Sequence, residues 1–126
     1  MLKKRALGLT GLEVTEICFG ALPFGPLQKN LSDEECAEIL AAALRGGVNF
    51  VDTAQMYKTY GAIRMAVKET GIRPVIASKS ACADYNGMMR AVDEALRLMD
   101  IDCVDIFHLH AARSGAEVFD ERKGAL

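Results

Sequence analysis

No stretch of the 126 residues approaches the roughly 20 consecutive apolar residues that a membrane-spanning helix needs. Excess basic charge is also missing: 15 Lys and Arg stand against 17 Asp and Glu, a net charge of -2, which leaves no electrostatic footprint for nucleic acid. The densest basic cluster, Lys3-Lys4-Arg5, runs into Gly8, Thr10, Gly11 and Glu13 instead of an apolar core and a small-residue cleavage site, so it does not read as a secretory signal. The four cysteines, Cys18, Cys36, Cys82 and Cys103, are isolated and lack any CxxC spacing. They are expected to be buried reduced thiols in a cytoplasmic protein. No linker or low-complexity segment divides the chain. With 51% hydrophobic and 25% charged residues, and a length suited to one domain, the remaining class is a packed globular unit.

Helical and extended patterns alternate along it. Leu7-Gly8-Leu9 and Leu12-Glu13-Val14 flank Thr10-Gly11, which predicts a β-hairpin on a two-residue turn. A short apolar strand, Ile17 to Gly20, leads into a loop holding Pro23, Gly25 and Pro26. Ser32 with Glu35 three residues on forms a capping box, and Leu31 is placed to staple onto Cys36. Ile39, Leu40, Ala43 and Leu44 continue that helix to the stop at Gly46-Gly47. A strand over 48–52 follows, then a helix over 60–70 carrying Ile63, Ala66 and Val67 and ending at Gly71. A strand over 75–79, a helix over 84–99 with Met88, Met89 and Met99 read as core, and a strand over 104–110 complete the pattern. Near-continuous apolar strands in strict alternation with helices imply a parallel sheet covered by helices on at least one face. The expected fold is α/β: a parallel (β/α) barrel of TIM type, truncated to about four β/α units with an N-terminal β-hairpin. Residues 1–126 are read as one incomplete domain, the first half of a barrel, with 120–126 as the start of a further helix.

The chemistry gathers at the strand ends. Asp52, Lys79 and His110 close successive strands, and Tyr57 lies five residues beyond Asp52 on the loop leaving its strand. In a parallel barrel the carboxyl ends of all strands meet on one face, where the active sites of such barrels lie. Because side chains alternate, Val48, Phe50 and Asp52 share a face, as do Val75, Ala77 and Lys79, and Ile106, His108 and His110. A carboxylate, a phenol, an amine and an imidazole are thus predicted to converge at the barrel mouth. A phenol serves as a proton donor near neutral pH when an adjacent ammonium group stabilises its anion. An imidazole beside it can orient a carbonyl or relay the proton. Such a group suits carbonyl reduction, and since no side chain delivers hydride, a nicotinamide cofactor is required.

The stretches Gly46-Gly47-Val48-Asn49-Phe50-Val51-Asp52-Thr53-Ala54-Gln55-Met56-Tyr57, Ala77-Ser78-Lys79 and Val104-Asp105-Ile106-Phe107-His108-Leu109-His110 resemble the aldo/keto reductases. So does the opening hairpin, which plugs the barrel floor in that family, and the likeness runs from about Lys4 to Leu126. The resemblance implies that Tyr57 is the general acid, that Lys79 and Asp52 tune it, and that His110 positions the carbonyl. It further implies NADP(H) as cofactor, with Gly20, Ala21 and Asp52 near its nicotinamide end, and a small-molecule carbonyl or alcohol as substrate. Tyr57-Lys58-Thr59-Tyr60 departs from the usual Tyr-Gly and is similar to a subgroup whose full-length members often end in a cysteine-rich ferredoxin-like segment. No such cluster is present, so no iron–sulfur centre is expected. The loops that hold the cofactor phosphates in the family follow the last barrel strands, beyond this chain.

Two further readings stand beside the enzyme fragment. A four-stranded open sheet has unpaired edges and an uncovered face, which fits a non-catalytic half-barrel binding or assembly module. Self-association, or pairing with a missing C-terminal half, is the partner expected in that case. A barrel enzyme of unrelated chemistry would share only the fold. Tyr60 is read as packing and His108 as a hydrogen-bonded interior histidine. No metal is expected, because His108 and His110 have no nearby third ligand except Asp52.

Overall fold

In the computed structural model of the protein, residues 1–112 are described. The helix start expected at 120–126 lies outside them. Two strands, β1 (Lys4–Ala6) and β2 (Glu13–Thr15), pair antiparallel with Lys4 opposite Thr15 and Ala6 opposite Glu13. The hairpin is therefore present, but its turn is six residues and not two. Leu7 N donates to Leu12 O at 2.8 Å and Thr10 N to Leu7 O at 3.2 Å, while Gly8 and Gly11 take positive φ (55° and 78°) to let the wider loop close.

The second sheet holds four parallel strands in sequence order: β3 (Phe19–Gly20), β4 (Phe50–Asp52), β5 (Val75–Ser80) and β6 (Ile106–Leu109). Among the described residues β3 and β6 are its end strands, and no closed barrel forms. Three helices link them: α1 (Asp33–Arg45), α2 (Tyr60–Thr70) and α3 (Tyr85–Met99). None is long and apolar enough to cross a membrane.

Local chemistry accounts for the helix ends. Ser32 and Glu35 form the reciprocal capping box, Glu35 N to Ser32 Oγ at 3.2 Å and Ser32 N to Glu35 Oε2 at 2.9 Å. Asp84 caps α3 by accepting from Gly87 N at 2.8 Å, and α2 ends on Gly71 in the left-handed region.

All three helices lie on one side of the sheet. Ala37, Leu40, Ala41 and Leu44 of α1, Tyr60, Ile63 and Ala66 of α2, and Ala95 and Met99 of α3 pack on Val51 and Ile76, with Phe19 and Phe107 at the margin. Two helix residues expected inside are not. Ile39 is exposed because α1 buries the Cys36, Ala37, Leu40, Ala41, Leu44 face, one residue round the helix from it. Met89 is exposed likewise, since α3 buries Met88, Ala91, Ala95 and Met99. The cysteines are free, but only Cys36 is buried; Cys18 and Cys103 lie exposed, in the segments that precede β3 and β6.

Two clips set the heights of the strands. Asn49, just before β4, accepts from Thr15 N at 2.7 Å and donates to Glu13 O at 2.9 Å, tying the hairpin to the amino end of the sheet. Asp105, just before β6, accepts from Ile76 N at 2.8 Å and pairs with Arg73 at 2.9 Å. The carboxyl ends of β5 and β6 are level, Ser80 opposite Leu109, while β4 stops at Asp52 opposite Ala77.

Candidate active site

Strand register does what side-chain alternation predicts. Val51, Ile76 and Ser78 turn toward the helices and are fully buried, which leaves Asp52 and Lys79 on the opposite face at the carboxyl ends of β4 and β5. There the Lys79 ammonium donates to Asp52 Oδ1, Asp52 Oδ2 and Thr53 O, each at 2.7 Å. A lysine has three N–H donors, and all three are used. The side chains are 17% (Lys79) and 38% (Asp52) exposed, so the pair is shielded on one side and wet on the other.

Tyr57 lies on the short 3-10 turn Gln55–Tyr57 after β4, closed by Tyr57 N donating to Ala54 O at 3.0 Å. Its side chain is buried, and Lys79 Nζ stands 5.1 Å from its ring centroid. His110 directly follows β6, where its amide donates to Ser80 O at 2.8 Å. Its half-buried ring meets Tyr57 edge-on, centroids 5.8 Å apart at 82°. Asp52, Tyr57, Lys79 and His110 therefore converge although 58 positions separate the first from the last. The residues read as facing a nicotinamide are adjacent to them. Gly20 is paired with Asp52, Ala21 N donates to Asp52 O at 2.9 Å, and the space a Gly20 Cβ would take is empty.

His108 is placed differently from the reading above. It is opposite Lys79 in the β5–β6 register but exposed, because among the described residues no helix covers the face it shares with Lys79. Tyr60, by contrast, is the packing residue expected: it is 3% exposed and its hydroxyl bonds Ser78 Oγ at 2.6 Å. Burial raises its phenol above the ordinary range, with the Glu94 charge adding to the effect and the Ser78 bond opposing it. Cys18 reaches the same rim. Partial burial, then the Asp52 carboxylate, push its thiol up while Lys79 and an Asp52 backbone hydrogen bond pull it down.

Several contributors were not singled out from sequence. Thr53 supplies the third acceptor for Lys79, and its hydroxyl meets Thr59 Oγ1 at 2.8 Å in a buried pair beneath the Tyr57 turn. Ser78 and Ser80 on the buried face of a strand were a readable sign of polar partners there. Gly25 is required by a close approach, since a Cβ on it would strike the Tyr57 carbonyl oxygen and lie 3.2 Å from its carbon. Gly25→Ala is expected to cost about 1–3 kcal/mol, because the obstacle is backbone. Urea unfolding measures this.

Lys58, where the resemblance has glycine, sits at φ 56° and ψ 37°. A left-handed conformation costs a non-glycine residue about 1–2 kcal/mol, partly offset by the unfolded-chain entropy glycine adds. Lys58→Gly is expected to stabilise the protein by about 0.5–1 kcal/mol, read as a higher urea midpoint at unchanged slope.

The pattern that defines the aldo/keto reductase family matches residues 16–118. The chain is similar to L-galactose dehydrogenase of Arabidopsis thaliana, at 30% identity over 89% of this chain and 39% of that one. It is also similar to glycerol 2-dehydrogenase (NADP(+)) of Saccharomyces cerevisiae, at 22% identity over 80% of this chain and 31% of the yeast protein. Among solved structures, a thermostable aldo-keto reductase in complex with the inhibitor epalrestat superposes with a TM-score of 0.74 and 27% identity, covering 84% of this chain and 42% of that one. The chain spans less than half the length of these relatives. With the parallel sheet and its covering helices, the match over most of the sequence places the chain in the aldo/keto reductase family, whose members are oxidoreductases.

Proposed function

We propose that this chain carries the proton-donating half of an NADP(H)-dependent carbonyl reductase site. The observation that carries the reading is the fixed ammonium: Lys79 is held by both Asp52 oxygens and Thr53 O, 5.1 Å from the centre of the Tyr57 ring. A positive charge so held favours the phenolate left behind when Tyr57 gives its proton to a carbonyl oxygen. His110, edge-on to the same ring, is the group beside Tyr57 suited to orient the carbonyl. In the reverse direction the phenolate takes the proton of an alcohol.

The set supplies a proton, and none of its side chains can deliver hydride, which fits a bound hydride carrier. NADP(H), when bound, supplies that hydride. Gly20, lacking a side chain beside Asp52, with Ala21 and the Asp52 carboxylate, forms the part of the chain suited to its nicotinamide end. The preference for NADP over NAD draws on the family resemblance and on the name of the yeast relative. The names of two relatives, L-galactose dehydrogenase and glycerol 2-dehydrogenase (NADP(+)), point to a small polyhydroxylated carbonyl, and glyceraldehyde is the probe. The test is NADPH oxidation with glyceraldehyde by the purified protein, with NADH as comparator; turnover with NADH alone would refute the cofactor assignment.

The uncovered sheet face favours a second reading, a non-catalytic half-barrel for binding or assembly. Phe50, Val75 and Ile106 are only half-buried there, and β3 and β6 end the sheet among the described residues. A second copy, or a C-terminal half, would cover that face. Light scattering decides: a monomer with a cooperative unfolding transition counts against self-association.

A further inference from the structure

Behind the phenol runs a chain of hydrogen bonds with one direction. The Cys82 amide donates to Ser80 Oγ at 3.2 Å, Ser80 Oγ donates to Gln55 Oε1 at 2.7 Å, and Gln55 Nε2 donates to Glu94 Oε2 at 2.6 Å. The order is forced. An ionised carboxylate only accepts, so the amide nitrogen of Gln55 must face Glu94 and its oxygen must face Ser80; the Ser80 hydroxyl, its proton committed, then accepts from Cys82. Because one end is charged, the Gln55–Glu94 bond belongs to the stronger class.

The positions these residues occupy matter more than the bonds. Ser80 is the residue after Lys79, Gln55 opens the turn on which Tyr57 is the third residue, and Glu94 belongs to α3. No hydrogen bond joins Tyr57 to Lys79 among the described residues; Asp52 and Thr53 fix the ammonium, so their 5.1 Å spacing depends on where the turn holds the Tyr57 ring. Within the turn itself, the side chain that bonds the end of β5 is Gln55, through Ser80; the Tyr60–Ser78 bond lies outside the turn, at the start of α2.

Resting on the reading of Tyr57 as proton donor, we propose that Gln55 is a positioning residue. Locked in orientation by Glu94, it clamps the Tyr57 turn to the end of β5 and so sets the distance between the phenol and the Lys79 ammonium. Nothing about Gln55 itself touches the reacting atoms. Its effect is on how often the phenol stands where Lys79 and His110 can act with it.

The test uses Gln55→Leu, Ser80→Ala and the exchanged pair Gln55→Glu with Glu94→Gln, in which the same two bonds form with the charge moved one residue. Two readouts are taken: NADPH-dependent reduction of glyceraldehyde, and the nuclear Overhauser contact between the Tyr57 and His110 ring protons. For Gln55→Leu the expected result is a fall in kcat of about tenfold or more with KM values changed by less than about twofold, since a mislocated donor slows the chemical step and leaves binding alone. Ser80→Ala should fall by about threefold, and the exchanged pair should return to within about threefold of the parent. The ring contact should weaken in the single variants and reappear in the exchanged pair, while the Val51, Ile63 and Ile76 methyl signals stay in place. A Gln55→Leu protein with parental kcat and an unchanged ring contact overturns the proposal, as does an exchanged pair no better than Gln55→Leu with its core signals intact. If Gln55→Leu does not fold, Ser80→Ala and the exchanged pair decide alone. The ring contact needs no turnover, so the clamp is judged even where activity is absent. Tyr57→Phe run alongside isolates the donor assignment: full activity in it defeats that assignment, whatever Gln55 does to the geometry.

Discussion

Replacing Tyr57 by Phe is expected to lower kcat for glyceraldehyde reduction by about 10²–10⁴-fold, the range for loss of a positioned general acid. That corresponds to about 2.7–5.4 kcal/mol of barrier. The substitution removes one oxygen and keeps the ring that packs beneath Lys79 and against His110, so the turn and its neighbours stay where they are. Stability should change by less than about 0.5 kcal/mol, since no described group hydrogen-bonds the hydroxyl that is lost. Cofactor affinity, followed by NADPH fluorescence, should be unaltered. Tyr60→Phe gives the reverse pattern. It deletes the 2.6 Å bond to Ser78 in a buried site and should cost about 1 kcal/mol of stability with turnover retained. Steady-state kinetics and urea unfolding on the two variants separate the catalytic phenol from the structural one.

Lys79→Met should be as damaging to kcat as Tyr57→Phe and, unlike it, should also destabilise the fold. Removing the ammonium takes three donors from Asp52 and Thr53 at once. The stranded carboxylate is 38% exposed and regains part of its solvation, which holds the expected stability loss to about 1–2 kcal/mol. The catalytic loss has a different origin, the missing positive charge beside the phenolate. If the two residues act as one unit, Tyr57→Phe with Lys79→Met should be slower than the worse single variant by less than about threefold, far from the product of the two effects. Full multiplicativity would mean that Lys79 acts without Tyr57. Lys79→Arg should not rescue, because a planar guanidinium cannot direct three N–H groups at oxygens placed around a single nitrogen.

How much of this could be read from the residues depended on how local the physics was. The ends of α1 and α2 were legible because Ser32, Glu35 and Gly71 act within a few positions of themselves. Convergence of Asp52, Lys79 and His110 was legible because alternation and strand ends are properties of the chain, needing only the assumption of parallel pairing. The family likeness rested on those same stretches. The hairpin is legible but its turn reads too tight, since the hydrogen bond from Leu7 N to Leu12 O, not the Thr10-Gly11 dipeptide, decides where pairing begins. His108 was assigned to the interior by correct parity, yet the face it shares with Lys79 is uncovered in the described residues. Met89 and Ile39 failed by a single step of about 100° round a helix, finer than a count of apolar residues resolves. The Gln55 clamp left no mark in the sequence at all, because it exists only where a turn, a strand end and a third helix meet.

The central claim is that this chain's Tyr57 protonates a carbonyl reduced with hydride from NADPH. Its most direct test is to supply NADPH carrying deuterium at the transferable position, with glyceraldehyde, and to weigh the alcohol formed by the parent protein and by Tyr57→Phe. The account predicts one deuterium per product molecule from the parent and almost no product from the variant in the same time. Deuterated alcohol formed equally fast by Tyr57→Phe, or alcohol formed by the parent without the label, would contradict it.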